Sequence, residues 1–368
     1  MSSPKITTVP KLYDYLHHAM QIEHATIPPY LLALYSIRPE ADANDKPKNA
    51  DAIQVLRVIV VEEMLHLTLA ANILNAVGGK PDLAAPGFVP LYPASLPDGE
   101  NDFKVDLQPF SPAAIETFLK IERPGKAPEG KKLISRHRDR RSALGICPGE
   151  VDLHYYSIGE FYDEVRRGIL YLSDKLGTKL FCGNTNWQAT GKYYYSGGGE
   201  LFAVTNLDTA VAAIDLIIQQ GEGSDPSMYT QEGELAHDFR FEQLKFGRYY
   251  KEGDPPYDPA NPDGTGPKGG VINLDWNAVF PLKKNAKLSG YANAPDLHEA
   301  AVAFNHVYAD FLKFLTEAYN GKPELLLKAV PRMFELRNKI NQLIRNPIPG
   351  MPGVNAAPTF EMPGEECE

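Results

Sequence analysis

The stretch VVEEMLHLTLAANIL, residues 60–74, constrains the chain more than any other. Val60, Val61, Met64, Leu65, Leu67, Leu69, Ile73 and Leu74 leave it almost no polar face, so it reads as a buried helix. Yet Glu62, Glu63 and His66 stand in its middle. A carboxylate taken out of water needs a charged partner or a metal ion. The rest of the chain must therefore supply one.

Helical spacing is the dominant pattern. Leu12, Leu16, Met20, Ile27, Leu31, Leu34 and Ile37 predict a helix over 9–38, with a kink expected at Pro28-Pro29. A second helix is expected over 50–77, closed by Gly78-Gly79 and Pro81. The short connection makes the two antiparallel neighbours. Residues 80–156 are irregular and rich in Pro and Gly, with a short helix over 112–122. Ser157 opens a third long helix, SIGEFYDEVRRGILYLSDKL. The aromatic, Gly-rich segment 178–205 reads as a strand or hairpin. Helices follow over 207–221, 230–249, 295–320 and 323–345. Residues 251–270 form a loop by composition, and the proline-bearing tail from Asn346 is expected to be extended. The domain reading is a bundle over 1–250, with insertions at 80–156 and 178–205, and a Pro/Gly loop plus helical cap over 251–368.

Bulk properties narrow the function. The net charge is −10 in 368 residues, which argues against a nucleic-acid binder. The one basic run, Lys131 to Arg141, lacks stacking aromatics and reads as a solvated loop. Cys147, Cys182 and Cys367 are far apart, so no zinc ribbon or redox pair is indicated. A reduced, cytoplasmic setting fits this cysteine usage. The N-terminus lacks an apolar signal core, and no run of 18 apolar residues suggests a membrane span.

Two side chains at i and i+3 of a helix share a face. In four-helix carboxylate bundles, two helices each give one Glu and two each give Glu-x-x-His, all pointing inward. This chain offers Glu23, then Glu63 with His66, then Glu160, then Glu234 with His237. Glu23 and Glu63 lie at similar depth in the first hairpin, about 15 and 13 residues from its turn at 1.5 Å per residue. Glu222, flanked by glycines at a helix end, is a further ligand or supporting candidate. Ser157-Ile-Gly-Glu160 is also a capping box, which would account for Glu160 without a metal. Glu234 could be a solvated first-turn residue. Glu62, about 100° round the helix from Glu63, reads as a surface or salt-bridged group. Gly197-Gly198-Gly199 lacks the Lys-Ser/Thr of a phosphate loop and reads as a tight turn. Asp215 is expected to pair with Arg166 or Arg240. Tyr30 and Tyr35 could relay electrons to such a centre or simply pack in the core.

The segments IEHATIPPYLLALYSI, EEMLHLTLAANILNAVGGKP, IGEFY, QQGEG and APTFE carry a resemblance. They are similar, in order over nearly the whole chain, to the ferritin-like domain of the iminophenyl-pyruvate dimer synthases of violacein and rebeccamycin formation. The resemblance implies an all-α, ferritin-like four-helix bundle with long insertions and a helical C-terminal extension. It matches Glu23, Glu63, His66, Glu160, Glu222 and His237, while Glu234 rests on spacing. It also implies oxidative coupling of tryptophan-derived imines as one activity. The expectation is a pair of metal ions, Fe or alternatively Mn, in an oxidase using O₂ or peroxide on a small, aromatic or amino-acid-derived substrate. A ferroxidase or metal-storage protein is the alternative, and a homo-oligomer is compatible with either.

Overall fold

A computed structural model describes residues 4–41, 47–97, 102–124, 155–194, 198–223 and 227–364. The described regular structure is helical. The long helices are α1 (Val9–Ser36), α2 (Ala50–Ala76), α4 (Ile158–Leu176), α5 (Leu207–Glu222) and α7 (Pro295–Tyr319). The shorter ones are α3 (Pro112–Ile121), α6 (His237–Phe246) and α8 (Ala329–Ile344). No described helix is long and apolar enough to cross a membrane.

Helix α1 starts where Thr8 caps it, its side chain accepting from the Lys11 amide. It stays helical through Pro28 and Pro29. A proline cannot donate to the carbonyl four residues back. The Ala25 carbonyl freed by Pro29 instead accepts from the buried Tyr92 hydroxyl at 2.8 Å.

Helices α1, α2, α4 and α5 form the bundle. Tyr13 bonds the Val77 carbonyl and Thr26 bonds Glu63, so α1 and α2 run antiparallel. Gly159 bonds Glu222 and Arg166 bonds Asp215, so α4 and α5 are antiparallel too. Asp215 thus takes the structural role expected of it, with Arg166 as its partner. Helices α3 and α6 pack on each other, and α6 also lies against α2 and α5. That places the ends of α3 and α6 beside the bundle's middle.

Residues 178–205 contain no strand among the described residues. They make 3₁₀ turns over Gly177–Leu180 and Thr185–Trp187 and then an irregular path. Side-chain amides take the place of a strand partner there. Gln188 bonds both the amide and the carbonyl of Val204, and Asn72 of α2 bonds both groups of Ala189.

The helix expected over 230–249 begins only at His237. The preceding residues form a tight loop, with Gly233 at φ 81° and Tyr229 bridged to Leu235. The segment expected as one helix over 323–345 is a 3₁₀ stretch, Pro323–Lys328, followed by α8. Restarting at Ala329 puts Pro331 in a first turn, where its missing N–H costs nothing. Residues 346–364 carry no helix, as expected of the proline-bearing tail.

Helix α7 packs on α2 and α8 on α1. Tyr308 bonds His24, Tyr319 bonds Thr68, and Asn75 bonds the Tyr319 carbonyl. Phe360 from the tail packs edge-on against Phe304 and Tyr308. One hydrophobic core runs from Ile6 to Phe360.

Candidate metal centre

Five buried side chains converge between α1, α2, α3 and α6. Ligand-capable atoms of Glu23, Glu63 and His66 lie within 4.8 Å of one another, and those of Glu63, Glu122 and His237 do likewise. Glu63 belongs to both groups, so its carboxylate sits between two potential ion positions.

Each carboxylate is held from behind. Tyr162 of α4 donates to Glu23 Oε1 at 2.6 Å. Thr26 donates to Glu63 Oε2 at 2.7 Å. Tyr30 donates to Glu122 Oε1 at 2.5 Å. Each histidine uses Nε2 outward. His66 Nε2 meets Gln220 Oε1 at 2.8 Å, and His237 Nε2 meets Glu62 Oε2 at 2.9 Å. Their Nδ1 atoms point inward, at 3.4 Å from Glu23 for His66 and at 3.0 and 3.5 Å from Glu63 and Glu122 for His237. The rings lie nearly parallel with centroids 5.6 Å apart.

The electrostatics call for a cation. Burial alone would lower the His237 pKa, but Glu122, Glu62 and Glu63 raise it well above the usual imidazole value. For His66, burial is likewise outweighed by Glu23 and Glu63. Burial, then Glu63, pushes the Glu122 carboxyl up. A small cavity of about 10 Å³, the space of roughly one water, is lined by Glu23, Glu63, His66, Glu122 and Glu222. Arg240 offsets Glu62 at 3.0 Å. Glu23, Glu63, Glu122 and Glu222 then place four carboxylates on one cavity.

These residues fit a pair of divalent ions. His237 Nδ1 is buried without a well-aligned hydrogen bond, as an atom reserved for a metal would be. The donor set is oxygen and imidazole nitrogen, which suits Fe or Mn. Divalent charge would offset the buried carboxylates of Glu23, Glu63 and Glu122 with both imidazoles neutral.

The structure sorts the sequence-derived residues. Glu23, Glu63, His66 and His237 come together. Glu160 does not join them: its amide donates to the Ser157 cap and its carboxylate accepts from the Tyr156 amide at 2.7 Å, so it serves the start of α4, one residue short of the reciprocal capping box. Glu234 lies outside as well. It is 57% exposed and pairs with Arg240, because residues 230–236 are a loop and Glu234-x-x-His237 is not one helical face. Glu222 lines the cavity but bonds the Gly159 amide at 2.7 Å. Burial lifts its carboxyl to about 7. A Cβ on Gly159 would stand 2.4 Å from that carboxylate, so only glycine permits the contact.

Of the two alternatives for Glu62, surface or salt-bridged, the structure shows the second: it is fully buried and paired with His237 and Arg240. Burial would raise its pKa, but these partners hold it below the ordinary carboxylate value. Glu122 was absent from the expected set. It lies just past α3, where Ile115, Phe118 and Glu122 share one apolar face by spacing. A carboxylate on that face was the available signal. Tyr30, an electron-relay candidate, donates to Glu122, and Tyr35 is partly buried.

A family model described as ferritin-like matches residues 16–246, a span holding all five converging side chains. Dichlorochromopyrrolate synthase of Lentzea aerocolonigenes is 24% identical over an alignment of 427 residues, which covers 98% of this chain. The chain spans 37% of that relative's length. The crystal structure of a ferritin like protein from Caulobacter vibrioides shares the fold, with a TM-score of 0.58 at 22% identity. That match covers 97% of this chain and 100% of the other.

Proposed function

The chain belongs to the ferritin-like family, and from that premise we propose that it is a dinuclear metal oxidase, iron-dependent, acting with O₂ or peroxide on a small organic substrate. The observation that carries this reading is the shared Glu63 carboxylate, flanked by Glu23 and His66 on one side and Glu122 and His237 on the other. Glu23, Glu63 and His66 would hold one ion and Glu63, Glu122 and His237 the other, the histidines through their inward Nδ1 atoms. Held by these residues, two ferrous ions would supply the electrons for O₂ reduction.

The chain's own residues prepare for that chemistry in three ways. Tyr162, Thr26 and Tyr30 fix the carboxylate orientations by hydrogen bonds. The apolar side chains of Ile158, Ile217 and Ile218 line the cavity beside the ligands, which limits water and strengthens electrostatic interactions there. The cavity itself admits a molecule of about water size. An organic substrate therefore meets the centre at the rim between the start of α4 and the end of α5. An aromatic or amino-acid-derived substrate and a cytoplasmic setting belong to the same reading.

Similarity to a protein named dichlorochromopyrrolate synthase favours a second reading, an imine-dimerising synthase of the indole-pigment type. It uses the same metal centre with a more specific substrate.

The test is to load the protein with Fe(II) anaerobically, admit O₂, and follow O₂ consumption and visible absorption. The oxidase reading expects a transient band and O₂ uptake in proportion to the bound iron, both lost in Glu63→Ala. Continued uptake of iron to hundreds per assembly would point to storage instead. O₂ consumption unchanged by Glu63→Ala would sink the proposal.

A further inference from the structure

Gly198 and Gly199 form a turn with both residues at positive φ. It lies on the two residues that hold the histidines from behind. A Cβ on Gly198 would meet Glu62 Cγ at 2.7 Å, and Gly198 has φ +76°. A Cβ on Gly199, at φ +130°, would meet Gln220 Nε2 at 3.2 Å. The Gly198 carbonyl accepts a hydrogen bond from that same Gln220 nitrogen.

This contact fixes proton positions several atoms away. A carbonyl only accepts, so the nitrogen of the Gln220 amide must face Gly198. Its oxygen then faces His66 Nε2. That oxygen also only accepts, so Nε2 carries a proton and Nδ1 is the atom turned inward beside Glu23, where an ion would take the place of any second proton. On the other side, Glu62 Oε2 accepts from His237 Nε2 and from Arg240 Nη1. His237 Nδ1 is therefore left free toward Glu63 and Glu122.

The two arrangements match in geometry and differ in charge. His66 is backed by a neutral amide, and His237 by a carboxylate. A carboxylate behind a metal-binding imidazole raises its basicity and tightens the ion.

We propose that the Gly198–Gly199 turn, Gln220 and Glu62 form one positioning unit that turns both histidine Nδ1 atoms inward and makes the two ion positions unequal, the one at His237 being tighter. The inference rests on the cluster being a metal centre. Glu62, Gln220 and Gly198 touch no ion in this arrangement and act through the histidines.

Cobalt(II) alone is a suitable probe. The full chain, stripped of metal, is titrated with Co(II) and followed by visible absorption and calorimetry. Wild type is expected to show two binding events of different affinity. Glu62→Gln keeps an acceptor oxygen for His237 but removes the charge, and should weaken the tighter event by about 10-fold or more while sparing the other. Gln220→Leu should do the reverse. Gly198→Ala should weaken both, and if it fails to fold the two side-chain variants still decide. Equal affinities in wild type, or variants that shift both events alike or neither, would overturn the inference. A wild type that binds fewer than two Co(II) ions would overturn the metal-centre reading beneath it.

Discussion

At the scale of the residue, burial separates the carboxylates that could hold an ion from those that pair elsewhere. Glu122 and Glu234 both pair with residues of α6, yet Glu122 is buried against His237 and Glu234 is 57% exposed beside Arg240. Glu122→Ala should remove about one of the two bound ions, whereas Glu234→Ala should leave the metal count unchanged. Metal analysis of the desalted proteins reads the difference directly. Proton release gives a second check. In the ion-free protein the histidine pKa values are raised, His237 well above the ordinary value. A cation must displace those protons, so binding should acidify a weakly buffered solution and weaken as pH falls. The sign for stability is opposite in the ion-free chain. There the histidine–carboxylate pairs stabilise fully below the unfolded histidine pKa, near 6.5, and the contribution fades as pH rises through the higher folded value. Melting curves against pH with a chelator present would show it.

At the scale of the element, the sequence was legible wherever a long apolar period coincided with a cap. Ser157 opens a helix as expected, and the helices expected from residues 9, 50 and 207 start there. Glu63 and His66 were legible because α2 is apolar all round and allows no polar side chain an idle place. The same fact, applied to Glu62, would have buried it as well. The second Glu-x-x-His was misleading because spacing carries meaning only inside a helix, and Gly233 turns the chain before α6 begins. Glu122 was hard to see because α3 is ten residues long and lies in an irregular region. The prolines of α1 lie inside one continuous helix, and the Ala25 carbonyl that Pro29 leaves free is met by Tyr92. Tyr92→Phe would leave the Ala25 carbonyl buried and unpaired, and should cost about 1–3 kcal/mol of stability. Denaturant unfolding measures that loss.

At the scale of the whole molecule, the C-terminal helices share the bundle's hydrophobic core. His24, next to Glu23, bonds Tyr308, and Thr68, two residues past His66, bonds Tyr319. The walls behind the ligands are thus partly made by α7. Phe304, fully buried in α7, contacts Tyr308 and Phe360. Phe304→Ala should cost about 3–5 kcal/mol, and the loss should appear as one cooperative transition rather than melting of a separate cap. Calorimetry distinguishes the two. The family and the helical architecture were readable from ordered motifs across the chain. The way α3 and α6 bring Glu122 and His237 to one point was not, because it depends on packing between segments more than a hundred residues apart.

The central claim is that one shared carboxylate organises two ion positions. It is tested most directly by counting iron bound per chain after anaerobic Fe(II) loading and desalting, in wild type and in Glu63→Ala. The account predicts about two ions per wild-type chain and almost none in the variant. A wild type that retains no iron, or a Glu63→Ala protein that retains as much as wild type, would contradict it.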